Sequence, residues 1–416
     1  MKYVWALALG AALSVGCDNG STSDDGGTSD FVSGPAGLDE SAELLEPGAT
    51  TSEGSAPMND GMGTGAGESE APPEDVACEA VVDGVTQISG HVFGDMDDSS
   101  MSVYASEPSD GDALEEGWPV SLLPEGIDTT TCDDGQFSFS NLADGVYVLD
   151  MKTGNKACTT RNCPVRFADA VKSGKVRITT FGDSVPKVGS SYLFPLRLQN
   201  ILGEIVEVEN RNVAIPGSRS VDWIPGMYNF DQELAPLLEE TDVLIASIGG
   251  NDVTQYASEV LSSGQVMEVL NGGVNDKLME ILGNVIGIFE EARKINPDMD
   301  LVYCLYPNYA NSTQWDDFLG AAGGLGFDVK EIVSGLIVGA LDQVRAEMPD
   351  EPGMILVDIY GALGNTDISH LLYDQLHFND DGHQLYAEEI FRALGGVIVA
   401  EGESSEHNVG IVGDQP

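Results

Sequence analysis

Between Lys172 and Ala400, five short apolar runs rich in β-branched residues, KVRITTF, EIVEVE, DVLIASI, DLVYCLY and MILVDIY, alternate with longer stretches such as DKLMEILGNVIGIFEEARKI. In those stretches the apolar residues recur at helical spacing, and Met279 and its neighbours read as helix packing. Strands alternating with helices predict an α/β fold, a doubly wound parallel five-stranded sheet with helices on both faces. Such a sheet receives its ligands at the carboxyl ends of its strands, so the residues just after each apolar run are the candidates for chemistry.

Ahead of this domain, residues 78–171 change rhythm. QISGHVF, WPVSLL, QFSFSNL and VYVLDM are short alternating runs set apart by Gly and Asp, the pattern of a small all-β sandwich. Residues 17–77 hold neither. Positions 18–77 carry 14 Asp and Glu, no Lys, Arg or His, and the single aromatic Phe31, too little apolar surface to fold. A flexible chain of this length spans roughly 40–45 Å, more if like charges stretch it, which suits a tether. Residues 401–416 form a polar tail that is expected to fray.

Residues 1–16, MKYVWALALGAALSVG, have one Lys and then an apolar, small-residue run, the pattern of an export signal, too short to be read as a membrane span. An oxidising destination fits the cysteines, because Cys78, Cys132, Cys158 and Cys163 cluster in one stretch and could form two disulfides in any of three pairings. Cys304, inside LVYCLYP, reads as a buried free thiol. The 69 acidic residues against 18 Lys and Arg give a net charge of −51. Phosphate backbones and anionic lipid surfaces would repel such a chain, which excludes nucleic acid as a partner and leaves an N-terminal anchor as the route to a membrane. Asp95, Asp97 and Asp98 offer clustered carboxylate oxygens of the kind calcium takes, although an acidic surface loop explains them more simply.

Four strand ends of the α/β region carry GDSV, a glycine-containing loop, GGND and a late D-x-x-H. A serine hydroxyl is a poor nucleophile until a base takes its proton, and a histidine base works best when a carboxylate fixes its tautomer. Ser184 follows the first run, and Asp374 and His377 lie three residues apart in DQLH. A tetrahedral intermediate also needs hydrogen-bond donors for its oxyanion. The backbone N–H groups of Ser184 and Gly217 and the side-chain amide of Asn251 can supply them. Glycine suits position 217 because a side chain there could block close approach to substrate, and Gly226 is the alternative. Asp183 and Asp252, beside these residues, read as loop-holding carboxylates. Of the other histidines, His370 has no Asp three residues earlier, and His383 follows the acidic turn NDDG within the last helix.

GDSV at 182–185, NVAIPGSRS around Gly217, GGND around Asn251 and DQLH at 374–377 stand in an order and spacing that resembles the SGNH hydrolase superfamily, also called the GDSL lipase and esterase family, over about 220 residues. The resemblance implies Ser184 as nucleophile, His377 as base, Asp374 as its orienting acid, an oxyanion site from Ser184, Gly217 and Asn251, and an ester substrate (a lipid, an acetylated glycan or a small ester) hydrolysed without a cofactor. Val185 stands where the family name has Leu. GHVFGDMDDSS, GWPVSLLPEG and TCDDGQFSFSNLADGVYVLDM resemble carboxypeptidase-regulatory-like and SdrD B-like β modules, and LSVGC at 13–17 resembles a bacterial lipobox, with Cys17 as the acylated residue and Ser14 where Leu is usual. Trp315, Trp223 and Tyr309 are candidates for a pocket lining, and the Gly-rich loop 308–327 for a lid. The reading from another class is a surface-displayed glycan-binding or adhesion protein with an inactive hydrolase-like domain.

Overall fold

A computed structural model describes residues 86–94, 113–114, 119–132, 135–150, 163–263, 274–316, 329–349, 351–364, 366–400, 404–406 and 409–411. The candidate calcium residues Asp95, Asp97 and Asp98, the lipobox Cys17, the tether and most of the candidate lid lie outside them.

The β module begins with β1 (Gln87–Gly94), β2 (Ala113–Leu114), β3 (Pro119–Leu123), β4 (Ile127–Thr130), β5 (Gln136–Ser140) and β6 (Gly145–Asp150). Alternation in QFSFS turns Phe137 and Phe139 inward while Ser138 stays at the surface side, as the two-residue period of a strand requires. They pack with Ile88, Val120, Leu122, Tyr147 and Leu149 between two sheets. In one sheet β2 and β5 lie antiparallel to β1, and in the other β3 is flanked by β4 and β6.

The parallel sheet is built from β7 (Lys175–Gly182), β8 (Glu207–Asn212), β9 (Val243–Ser247), β10 (Asp300–Cys304) and β11 (Met354–Val357). Its order is β8-β7-β9-β10-β11, so in chain order the strands lie 2-1-3-4-5 and the topological switch falls between β7 and β9. The central strands are buried along their whole length, which is why they read as continuous apolar runs. Val176, Ile178, Val243, Ile245, Val302 and Ile355 face one side, against α1 (Phe167–Lys172), α2 (Phe194–Leu202) and the last helix. Phe181, Leu244, Ala246, Leu301, Tyr303 and Leu356 face the other. They meet the long helix α4 (Val274–Ile295), which follows α3 (Gly250–Ser263), and the C-terminal half of α5 (Val329–Glu347). The last helix is α6 (Asp380–Ala393), whose N-cap Asn379 accepts from the Gly382 N–H and whose first turn carries Asp380 and Asp381, both favourable at that end.

After α6 the chain returns to the β module. β12 (Gly396–Val399) adds antiparallel to β6 and places Val397 and Val399 in the sandwich core. β13 (Ser404–Glu406) and β14 (Val409–Ile411) add parallel to β1. This corrects the expectation of a frayed tail at 404–406 and 409–411: strand addition uses backbone N–H and C=O groups, so the polar Ser404–Glu406 can pair as well as the apolar Val409–Ile411. β6 is buried on both faces. Tyr147 and Leu149 point into the sandwich, while Val146 and Val148 join the core formed with α1 and α6. Buried Asp150 at the end of β6 pairs with Lys172 at the end of α1.

Ending the chain at Gly395 would strip Val397 and Val399 from the sandwich, at about 1.5–3 kcal/mol for each buried side chain. We expect the urea midpoint of the whole protein to fall accordingly; an unchanged midpoint would show that the returning strands are dispensable.

Candidate active site

Ser184 lies two residues beyond β7, in a turn made by an unusual approach of two backbones. Gly182 has φ +144, and a Cβ on it would sit 1.9 Å from the Ser247 carbonyl oxygen at the end of β9. No side chain fits there. The same carbonyl accepts the Asp183 N–H at 3.0 Å. Asp183, only 2% exposed, turns its carboxylate beneath the Ser184 turn, where Oδ1 accepts the Val185 N–H at 3.0 Å and Oδ2 accepts the Tyr306 hydroxyl at 2.7 Å. Burial pushes this carboxyl up to about 6, against the pull of those hydrogen bonds and of His377.

Asp374 and His377 come from the loop between β11 and α6. An isolated bridge between Leu372 and Phe378 closes this loop, and the Tyr373 N–H donates to the His377 carbonyl at 2.8 Å. One oxygen of Asp374 accepts the backbone N–H groups of Leu376 and His377, each at 2.8 Å; the other lies 2.8 Å from His377 Nδ1. Partial burial pushes the Asp374 carboxyl up, but the hydrogen bonds from the His377 ring and the two N–H groups outweigh it and hold the group below its ordinary value. An ionised Asp374 fixes the proton of His377 on Nδ1 and leaves Nε2 as the acceptor. Nε2 is 2.9 Å from Ser184 Oγ. Three side chains from two distant parts of the sequence thus form one relay.

The loop after β8 completes the arrangement. Ile215-Pro216-Gly217-Ser218 is a turn closed by the Ser218 N–H to the Ile215 carbonyl at 3.1 Å, with Pro at its second position and Gly217 at φ +83 in its third, the requirements of a type II turn. The Gly182 carbonyl accepts both the Ile215 N–H and the Ser218 hydroxyl, each at 2.9 Å. Asn251, in the first turn of α3, donates its side-chain amide to the Ser218 carbonyl at 2.9 Å. A Cβ on Gly217 would meet no protein atom within 4 Å, so within the protein it is the positive backbone angle that calls for glycine here. Gly226 also has a positive φ, but its N–H is bound by Asp231 in a separate turn.

The remaining candidates separate clearly. Asp252 accepts the N–H and hydroxyl of Ser220 at 2.8 and 2.7 Å and so holds the same loop. Trp223 is fully buried against Phe181 and donates its ring N–H to Ser218 Oγ at 2.9 Å; it braces the loop from the core and lines no pocket. Trp315 is 9% exposed and donates to the carbonyl of Gln375, between Asp374 and His377, at 2.9 Å. Tyr309 packs between Tyr306 and Phe378. His370 is exposed, its carbonyl accepting from Asn379. His383 is fully buried and structural: its Nδ1 accepts the Phe194 N–H at 3.3 Å and its Nε2 donates to the Val188 carbonyl at 3.1 Å. Burial lowers its pKa to about 4 despite that carbonyl. Cys304 is buried, and burial pushes its thiol far up. Among the described residues no group of three or more His, Cys, Asp or Glu is placed to hold a metal. Tyr306 escaped the reading of the sequence, although its position just past β10, at the carboxyl end of the sheet, was the signal that could have found it.

Residues 180–385 match the model of the GDSL-like lipase/acylhydrolase family, and this domain is an ester hydrolase of the GDSL type. No curated protein matches the chain. Among solved structures, the lipase Lip_vut3 from a goat rumen metagenome is 16% identical, with 52% of this chain and 97% of that one covered at a TM-score of 0.41. An extracellular lipase from Streptomyces rimosus is 15% identical, covering 52% and 99% at 0.38. The acetylxylan esterase Axe2 from Geobacillus stearothermophilus is 16% identical, covering 53% and 94% at 0.33. Likenesses this distant carry no argument about substrate.

Two glycines should respond differently to the same substitution. Gly182→Ala forces its methyl into the Ser247 carbonyl and should prevent folding to a soluble product, whereas Gly217→Ala meets only the backbone penalty, about 1–3 kcal/mol, and should stay folded in a urea titration. Equal outcomes would contradict the two causes assigned. For His383, the unfolded chain takes up its proton below about pH 6.5 and the folded chain only near 4, so this residue's contribution to stability is present above about pH 6.5 and is lost as pH falls towards 4. Histidine NMR should show a neutral ring protonated on Nε2 down to about pH 4; titration at the ordinary value would refute the burial argument.

Proposed function

We propose that this protein is an exported serine esterase that hydrolyses carboxylic esters through an acyl-enzyme on Ser184. The observation that carries the reading is the unbroken relay from Asp374 through His377 to Ser184, with contacts of 2.8 and 2.9 Å. Ser184 Oγ attacks the acyl carbon while its proton passes to His377 Nε2, and ionised Asp374 stabilises the imidazolium. The carbonyl oxygen becomes an oxyanion, for which the N–H groups of Ser184 and Gly217 and the second amide N–H of Asn251 are the donors. Collapse of the intermediate breaks the ester C–O bond, and His377 returns the proton to the leaving alcohol. Water then attacks the acyl-serine, giving one proton to His377, and release of the acid restores Ser184 with that proton. Every step is a proton transfer or a displacement at carbon, so the residues described suffice for it.

The N-terminal features extend this reading. An export signal at 1–16, acylation of Cys17 and an acidic tether would hold the enzyme off a membrane surface, where envelope or environmental esters are the accessible substrates. Two disulfides among Cys78, Cys132, Cys158 and Cys163 suit that compartment, and calcium at Asp95, Asp97 and Asp98 would add to the β module.

Ser184→Ala should lower turnover of p-nitrophenyl acetate by at least about 10⁴-fold with an unchanged circular dichroism spectrum. Asn251→Ala should cost about 10² to 10³ in kcat, the usual loss for one oxyanion donor, together with any slackening of the Ser218 loop that it also holds. Retained turnover in Ser184→Ala would overturn the assignment.

A further inference from the structure

Asp183 is a buried, titratable group that the hydrolytic steps above do not use, yet it stands next to the nucleophile in the chain. Its carboxylate is enclosed by named partners: the Val185 N–H on one oxygen and the Tyr306 hydroxyl on the other. The backbone of Gly250 closes over the second oxygen, so near that a Cβ there would lie 3.4 Å from it. The titratable groups facing it come from every surrounding element: Asp252 from α3, Tyr303 from β10, Tyr306 and Tyr309 from the segment after it, His377 from the loop before α6 and Tyr386 from α6. Burial, reinforced by the charge of Asp183, pushes the four phenols up, so they stay neutral. Asp252 repels Asp183, and among the described residues His377 is the facing group that can become positive.

Resting on the esterase reading, we propose that Asp183 and Tyr306 form a positioning pair: Tyr306 anchors the Asp183 carboxylate beneath the Ser184 turn, and the ionised carboxylate adds a second negative charge that favours protonated His377. Linkage requires this reciprocity, because if the charge on His377 favours ionised Asp183, the charge on Asp183 favours protonated His377 by the same free energy. His377 acquires its proton as Ser184 attacks, so the support is greatest in the transition state. Neither Asp183 nor Tyr306 touches the reacting atoms. Both act through the Ser184 turn and His377.

The sign of the pH effect follows. The Asp183 carboxyl, pushed up to about 6 by burial, is ionised above that pH and loses its charge as pH falls through it. Two protonations, at His377 and at Asp183, therefore shape the acid limb of kcat/KM, and the limb is steeper than a single ionisation gives. Removing the Tyr306 hydroxyl withdraws a hydrogen bond that favours the ionised form and raises the Asp183 pKa further.

The experiment is the pH profile of p-nitrophenyl acetate hydrolysis by the full chain, for the parent, Tyr306→Phe, Asp183→Asn and Ser184→Ala. Tyr306→Phe should shift the acid limb to higher pH by roughly half to one unit. Asp183→Asn, which keeps an oxygen for the Val185 N–H, should reduce the limb to the slope of one ionisation, shift it to lower pH and lower kcat on the order of tenfold with KM little changed. A uniform loss of activity at all pH values in both variants, or a limb that keeps its position and slope, would overturn the proposal and leave the pair a purely structural contact. Activity in Ser184→Ala would instead overturn the esterase reading itself, so the two failures are distinguishable.

Discussion

The end of β7 presses so closely on the end of β9 that residue 182 can carry no side chain, and the arrangement of the site follows from that contact. With Gly182 against the Ser247 carbonyl, the Ser184 turn is drawn over the switch point of the sheet. The Gly182 carbonyl, freed on its other side, accepts two hydrogen bonds from the loop after β8. A single glycine thereby ties together the loops that follow three neighbouring strands. A second close approach fixes the fourth: a Cβ on Gly189 would lie 2.0 Å from the Phe378 carbonyl. The segment after Ser184 is therefore held directly against the loop that carries His377.

The opposite end of the sheet is used differently. Asp300, fully buried at the start of β10, accepts the N–H groups of Val165, Arg166 and Phe167 at 2.6, 3.0 and 2.8 Å, where the chain leaves the β module and enters α1. Asp242, just before β9, binds the Arg166 side chain and the Arg177 N–H. Buried carboxylates are costly unless backbone donors or cations satisfy them, and here both fix the segment entering α1 against the sheet. Some of the chain's acidity is thus structural at the amino ends of the strands, and at the other end Asp183, Asp252 and Asp374 hold the loops that carry Ser184, Ser220 and His377.

What could be read from the sequence was local. GDSV and DQLH place Ser184, Asp374 and His377, the proposed nucleophile, acid and base, within a few residues of a strand end or of each other, and the five β-branched runs mark strands of the central sheet. Partners made by the fold could not be read this way. Tyr306 reaches Asp183 across 123 positions of sequence, and Trp223 looked like a pocket aromatic until packing against Phe181 placed it in the core. The polar strand at 404–406 pairs through backbone groups, which leave no trace in hydropathy, and Val409–Ile411 is too short an apolar run to mark a strand. Gly217 was legible from spacing, but its positive φ, an independent reason for glycine there, appears only in the fold.

The central claim is that an acyl group passes through Ser184. Turnover of a p-nitrophenyl ester quenched in acid during the burst, followed by peptide mass spectrometry, should find the acyl mass on the peptide containing Ser184, and on none in the Ser184→Ala protein. Acyl label on another residue, or hydrolysis with no label at all, would contradict the account.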